Sequence, residues 1–259
     1  MRLPIYQIDA FASAVFRGNP AAVCPLERWL PEQTMQSIAA ENNVAETAFF
    51  VPRNGGEYDI RWFSPEVEID LCGHATLASG LVVLTRIDPA RESLIFHSRS
   101  GPLTVHRAGE LLALDFPARP PERCEADGLA EALGAPPREI WKSRDLMAVY
   151  DSEEAVRALA PSFDRIRALD AFGVIATAPG KDVDFVSRFF APRQGVPEDP
   201  ATGSSHCTLV PYWSRILGRK TLRARQLSAR VGDFFCEDRG ERVRIAGQVV
   251  PYLEGTIEV

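Results

Sequence analysis

The segment RWFSPEVEIDLCGHAT, residues 61–76, contains the change of periodicity that decides the fold. From Glu66 to Leu71, carboxylates alternate with Val, Ile and Leu, which predicts a half-buried strand with a period of two residues. From Gly73 onward the apolar residues follow a helical spacing that continues to about Arg86. We therefore expect a strand that leads directly into a helix beginning at Gly73.

A second junction of the same kind lies in the segment DPATGSSH, residues 199–206, where Gly203 opens another predicted helix. Glycines at positions 101 and 109 follow the first helix, and glycines at 232 and 240 follow the second at a nearly constant offset. This repeated spacing indicates an internal duplication. We expect two sheet-rich halves, each wrapped around one helix, with a ligand cleft between them.

The boundary between the halves is marked by five prolines between Pro117 and Pro137. We predict an N-terminal half at residues 1–116 and a C-terminal half at residues 125–259, with a last strand that can return to the N-terminal half.

Composition excludes several classes of protein. The 259 residues contain 29 Lys and Arg against 35 Asp and Glu, and the net charge of -6 disfavours nucleic acid as a partner. The most apolar stretch, Ala78 to Leu84, is shorter than the roughly 20 residues that span a bilayer, and Asp9 interrupts any signal-peptide core. Five cysteines without a CxxC pair disfavour a disulfide scaffold, so we expect a cytoplasmic protein.

The two predicted helix starts are candidate anion sites, because the first turn of a helix carries unpaired N–H groups and a partial positive charge. Glycine at 73 and 203 would let a ligand approach the backbone closely. Two such ends could bind a carboxylate and stabilise the negative charge formed when a neighbouring C–H bond ionises. The simpler interpretation is that each glycine only permits a tight turn.

Glu46 is the single charge in an apolar predicted strand, so it is a candidate to exchange protons near neutral pH. An outward-facing glutamate on an edge strand is the structural alternative. His74 and Asp199 occupy equivalent places at the two junctions, although a structural histidine and a simple turn would also explain them. Cys72, His74, His206 and Cys207 match no standard zinc spacing. Ser204 and Ser205 lack the Gly-x-Ser-x-Gly pattern of a nucleophilic serine.

Four segments together resemble the PhzF-like phenazine-biosynthesis isomerase family, which is related to diaminopimelate epimerase. They are GNPAAV (residues 18–23), AETAF (45–49), the segment 61–76 quoted above, and EDPATGS (198–204), which continues to His206 and Cys207. The resemblance implies an α+β fold of two pseudo-symmetric halves, each a β-barrel-like sheet around a central helix. It also implies a homodimer that moves a proton on a small carboxylate, such as a dihydro-hydroxyanthranilate, without cofactor or metal.

The resemblance implies a role for each matching residue. Glu46 corresponds to the proton-shuttling glutamate. His74 and Asp199 would act with it and bond the amino or hydroxyl groups of the substrate. The remaining matches would bind substrate, with the helix ends holding its carboxylate, and they are Asn19, Gly73, Gly203 and Ser204.

Two other functions remain open from the sequence. The first is a racemase or epimerase that uses Cys72 and Asp199 on opposite sides of the reacting carbon. The second is a protein that binds small carboxylates without turnover.

Overall fold

The computed structural model describes residues 1–259, which form two compact units. The first unit comprises Met1–Asp115 and Ala246–Val259, and the second comprises Phe116–Ile245. The end of the chain therefore belongs to the first unit, although it follows the second unit in sequence.

Short strands make up most of the secondary structure. In chain order they are β1 (Arg2–Ala10), β2 (Asn19–Pro25), β3 (Glu46–Pro52), β4 (Tyr58–Phe63), β5 (Glu68–Ile69), β6 (Ser93–Ser98), β7 (Gly101–Ala108), β8 (Leu111–Pro117), β9 (Glu122–Arg123), β10 (Glu139–Lys142), β11 (Leu146–Val149), β12 (Val174–Pro179), β13 (Phe185–Phe190), β14 (Thr221–Gln226), β15 (Gly232–Asp238), β16 (Arg242–Gly247) and β17 (Val249–Glu258). The helices are α1 (Glu32–Asn42), α2 (Gly73–Val82), α3 (Leu129–Leu133), α4 (Glu153–Arg157), α5 (Phe163–Ala168) and α6 (Gly203–Leu217). None of these helices is both long enough and apolar enough to cross a membrane.

The two units repeat one order of strand pairing. In the first unit β1 and β2 are antiparallel, β2 and β3 parallel, β3 and β4 antiparallel, β4 and β6 parallel, and β6 and β7 antiparallel. In the second unit β10 and β11 are antiparallel, β11 and β12 parallel, β12 and β13 antiparallel, β13 and β14 parallel, and β14 and β15 antiparallel. The long helix falls at the same point of each series, after β4 (and the short β5) and after β13. The predicted α+β fold with two pseudo-symmetric halves is confirmed.

The sheet of the first unit buries both of its faces. On one face Phe49 and Phe63 pack edge to face, with ring centroids 5.7 Å apart, in a cluster that includes Met35 and Ile38 of α1. Residues of the opposite face alternate with these along each strand. Helix α2 packs against β2 and β3, and its residues 74–80 are all buried, as expected of a helix at the centre of a core.

The predicted strand from Glu66 to Leu71 is wrong over most of its length, because only Glu68 and Ile69 pair as a strand. Ser64 Oγ accepts hydrogen bonds from the backbone N–H groups of Glu66 and Val67 and so forms a turn there. The expected burial is also reversed at two positions. Val67 is 53% exposed, whereas the Glu68 carboxylate accepts two hydrogen bonds from Arg61, at 2.6 and 2.7 Å.

Candidate active site

Glu46 and His74 form an ion pair in the first unit. Glu46 is the first residue of β3, and His74 is the second residue of α2. Glu46 Oε2 lies 3.0 Å from His74 Nε2, and the two side chains are only 13% and 7% exposed. The structure therefore contradicts the alternative in which Glu46 faces solvent from an edge strand.

Cys72 contacts the other side of the same imidazole, with its Sγ 3.5 Å from His74 Nδ1. Burial raises the pKa of the Cys72 thiol to about 11, and the neighbouring Glu46 carboxylate adds to the shift. Burial by itself would lower the pKa of His74, but Cys72 and Glu46 outweigh it, and the pKa lies well above its ordinary value. The two shifts favour the thiol form of Cys72 and the protonated form of His74 beside the Glu46 carboxylate.

Glu46, Cys72 and His74 also form the one group of three potential metal-binding side chains in the chain, with donor atoms within 4.8 Å of one another. Cys72 and His74 would each have to release a proton before binding a metal ion. The hydrogen bond and ion pair already described account for their arrangement.

Both predicted helix starts lie where the sequence placed them, at Gly73 and Gly203. The residues before them, Cys72 and Thr202, make no side-chain capping hydrogen bond to the helix. Neither glycine has a positive φ, so the turn does not require glycine at either position. Each helix start thus presents backbone N–H groups without a side-chain cap, an arrangement that can bind an anion.

Asn19 begins β2, the strand that is parallel to β3, and its side chain is completely buried. Ala21, two residues further along, pairs with Glu46. The structure thus brings Asn19 to the strand that flanks the predicted acid/base.

In the second unit, Asp199 lies in a hydrogen-bonded segment before α6. The Thr202 hydroxyl donates a hydrogen bond to Asp199 Oδ2. The buried Gln226 amide donates to the Asp199 carbonyl at 2.5 Å and to Thr202 Oγ1 at 3.1 Å, while its Oε1 accepts from the Thr202 N–H at 2.9 Å. The sequence analysis missed Gln226, since a glutamine at the end of a strand of alternating polar and apolar residues has no distinctive pattern.

Ser204, in the first turn of α6, contacts a cation that the sequence analysis also missed. Arg144 Nη2 donates to Ser204 Oγ at 3.2 Å. The same guanidinium donates two hydrogen bonds to the buried Asp145 carboxylate, from Nη2 at 3.0 Å and from Nε at 3.1 Å. Burial raises the pKa of Asp145, and the Arg144 guanidinium opposes that shift. Because Ser204 Oγ accepts from Arg144, its own proton remains available to donate to a ligand.

His206 and Cys207 have structural surroundings. His206 Nδ1–H donates to the Thr202 carbonyl at 2.8 Å, and burial lowers the pKa of His206 to about 4, so the ring is neutral. The ring stacks on Phe234 with centroids 3.9 Å apart. Burial raises the pKa of the Cys207 thiol to about 11, which leaves it protonated at neutral pH.

This geometry supports proton transfer at carbon. The first unit contains a nearly buried carboxylate beside an imidazolium, at the start of a helix whose N–H groups have no side-chain cap. Such an arrangement combines a base that can accept a proton with fixed positive charge that stabilises a developing anion.

The chain is similar to known proteins over nearly its whole length. Residues 8–255 match the family model of the phenazine biosynthesis-like protein, PhzC-PhzF. A protein of Pseudomonas aeruginosa named as an uncharacterized isomerase is 51% identical over 100% of both chains. The crystal structure of a PhzF-family phenazine biosynthesis protein from Enterococcus faecalis has a TM-score of 0.97 and 48% identity over 100% of both chains.

A more distant structure extends the likeness in fold alone. A predicted epimerase from Pseudomonas aeruginosa has a TM-score of 0.75 at 20% identity, over 99% of both chains. The family model covers most of the chain, and the relatives match it along its whole length. The chain therefore belongs to the phenazine biosynthesis-like PhzC-PhzF family and is an isomerase.

Proposed function

We propose that this isomerase moves a proton on a small amino- or hydroxy-carboxylate without a cofactor, with Glu46 as the acid/base that carries the proton. The observation that carries the proposal is the 3.0 Å contact between Glu46 Oε2 and His74 Nε2 at the start of α2. A carboxylate held there can remove a proton from one carbon and return it to another on the same face of the substrate.

The proposed reaction needs no net oxidation or reduction. Glu46 breaks a C–H bond next to an unsaturated or acidic group and forms an O–H bond, and the electron pair moves into the substrate's π system. The same O–H bond then breaks as a new C–H bond forms, and the double bond shifts. The His74 side chain forms an ion pair with the Glu46 carboxylate at the start and end of the cycle.

The other predicted residues bind the substrate in this proposal. As the family resemblance implies, the N–H groups at Gly73 in the first unit, and those at Gly203 with the Ser204 hydroxyl in the second unit, each offer donors to a substrate carboxylate. His74 and Asp199 bond its amino or hydroxyl group, and Asn19 contributes an amide. The Cys72 thiol has a pKa of about 11, so little of it is the thiolate that could act as a base at neutral pH. A racemase that uses Cys72 and Asp199 as its two bases is therefore not favoured.

Replacement of Glu46 by Gln tests the proposal. We expect the rate of solvent-deuterium incorporation into a dihydro-hydroxyanthranilate, or into another member of a panel of small amino- and hydroxy-carboxylates, to fall about 100- to 10,000-fold. The product would be followed by NMR in D₂O. Glu41→Gln is the matched control, because Glu41 is exposed on α1 and should leave the rate unchanged. Equal exchange in wild type and Glu46→Gln would end the assignment of Glu46.

We also propose that the chain acts as a cytoplasmic homodimer. An exposed aromatic pair supports self-association, in which Phe16 packs edge to face on Tyr252 with both side chains open to solvent. Light scattering at micromolar concentration should give twice the mass of one chain, and the mass of a single chain would contradict the dimer.

A further inference from the structure

Two fully buried tryptophans differ in what their indole N–H groups contact. Trp213 is 2% exposed, and its Nε1–H donates to Thr177 Oγ1 at 3.0 Å. Trp62 is 1% exposed, and its Nε1 makes no hydrogen bond with any protein atom. A buried donor without an acceptor is costly and rare in folded proteins, so Trp62 calls for a physical explanation.

Strand register places Trp62 on the same face of the sheet as Glu46. In the antiparallel pair of β3 and β4, Trp62 lies directly opposite Ala48. Directly opposite residues have side chains on one face, and Glu46, two residues before Ala48, shares that face. The opposite face carries Phe49 and Phe63 and packs in the cluster with α1, so Trp62 lies on the side that holds the Glu46–His74 pair.

We propose that Trp62 is a specificity-determining residue whose indole Nε1–H donates a hydrogen bond to an oxygen acceptor of the substrate, such as a ring ketone or hydroxyl. The inference rests on the proposed function and narrows its substrate class to carboxylates that carry a second oxygen acceptor. The flat indole would also contact the hydrocarbon part of such a substrate. A site built to satisfy a buried donor rejects analogues that lack the acceptor.

Paired ligands test this inference. The probes are cyclohexanecarboxylate and 3-oxocyclohexanecarboxylate, which differ by one acceptor, and their dissociation constants would be measured by calorimetry. We expect the keto acid to bind wild type about fivefold more tightly, the factor that one hydrogen bond supplies. Trp62→Phe keeps an aromatic ring but removes the N–H, so the two acids should bind it equally. Trp213→Phe removes a satisfied N–H elsewhere and should preserve the fivefold ratio.

A second measurement uses wild type alone, so it does not require Trp62→Phe to fold. Wild type labelled with ¹⁵N at the indole nitrogens should show one indole resonance that moves downfield with the keto acid and not with cyclohexanecarboxylate. Equal affinity of the two acids for wild type, survival of the ratio in Trp62→Phe, or binding of neither probe would overturn the inference. So would a loss of stability in Trp62→Phe equal to that in Trp213→Phe, since the N–H would then be hydrogen-bonded within the fold.

Failure of the Trp62 assignment can be distinguished from failure of the proposed function. If deuterium exchange depends on Glu46 but the affinity ratio does not depend on Trp62, only the Trp62 assignment fails. If the ratio depends on Trp62 while exchange is unaffected in Glu46→Gln, the acid/base assignment fails and the acceptor contact stands.

Discussion

His74 contacts polar side chains through both ring nitrogens, and these contacts control its charge. The pKa of His74 is raised in the folded protein above the value of 6.5 that it has without such neighbours. An imidazolium beside the Glu46 carboxylate stabilises the fold only while the ring is protonated. The stability that His74 contributes should therefore depend on pH.

The sign of that dependence follows from linkage. A group whose folded pKa is raised contributes stability that is complete below its unfolded pKa and is lost as pH rises through the folded pKa. We expect wild type to exceed His74→Asn in free energy of unfolding most near pH 6, with the difference shrinking above neutrality. Urea unfolding at several pH values between 6 and 9 would measure it. A difference that stays constant or grows with pH would contradict the charged pair.

The sequence indicates Glu46 and His74 as candidate site residues. It does not reveal their contact, because the two residues are far apart in the chain. Glu46 reaches His74 only because the start of β3 lies beside the start of α2. Trp62 and Arg144 give no sequence signal, since a tryptophan in an apolar strand and an arginine in a loop are both common in structural roles.

At the level of elements, the start of α2 allows the ligand role of a glycine to be separated from its structural role. Gly73 has no positive φ, so alanine fits the backbone there. We expect Gly73→Ala to keep the free energy of unfolding or raise it by up to about 1 kcal/mol, because alanine favours helices. Affinity for cyclohexanecarboxylate should fall at least tenfold, since a Cβ would occupy the approach to the helix end. Denaturant unfolding and calorimetry would measure the two effects.

Gly80, on the same helix, is the matched control. A Cβ at Gly80 would lie 2.7 Å from Val105 Cγ1, closer than packed atoms allow. Gly80→Ala should therefore lose stability while keeping ligand affinity, the opposite of Gly73→Ala. Loss of stability in both variants, with unchanged affinity, would mean that glycine at 73 serves only the fold.

The helix starts could be predicted because the change from strand to helical periodicity is local. The half-buried strand at 66–71 could not be judged correctly, because its alternation reflects side chains bound to partners outside the segment. Glu68 forms ion pairs with Arg61 and Arg99. Its carboxylate is therefore mostly buried, although the alternating pattern predicts that it faces solvent.

For the whole molecule, the repeated glycines predicted the duplication that the strand pairing displays. The sequence analysis allowed the last strand to return to the N-terminal half, but it could not give the pairing partner or the register, because pairing between distant strands leaves no local pattern. Strand β17 pairs antiparallel with β1 along its length, from Arg2 opposite Glu258 to Ala10 opposite Val249.

This pairing predicts that removal of residues 249–259 destabilises the first unit although the segment is largely exposed. Strand β1 would lose a row of hydrogen-bond partners along one edge. We expect faster hydrogen exchange at the amides of β1 and a lower denaturation midpoint. Leu253→Ser is the control, because it changes an exposed side chain and keeps the backbone pairing. Unchanged exchange in β1 after the truncation would show that the pairing contributes little.

The pairing of β1 with β17 also has a consequence for biosynthesis. At about 5–20 residues per second, a ribosome completes β17 roughly 10 to 50 seconds after β1. Throughout that interval one edge of β1 has no partner strand, and such edges invite pairing between nascent chains. The newly made protein is therefore most vulnerable to aggregation just before its last strand emerges.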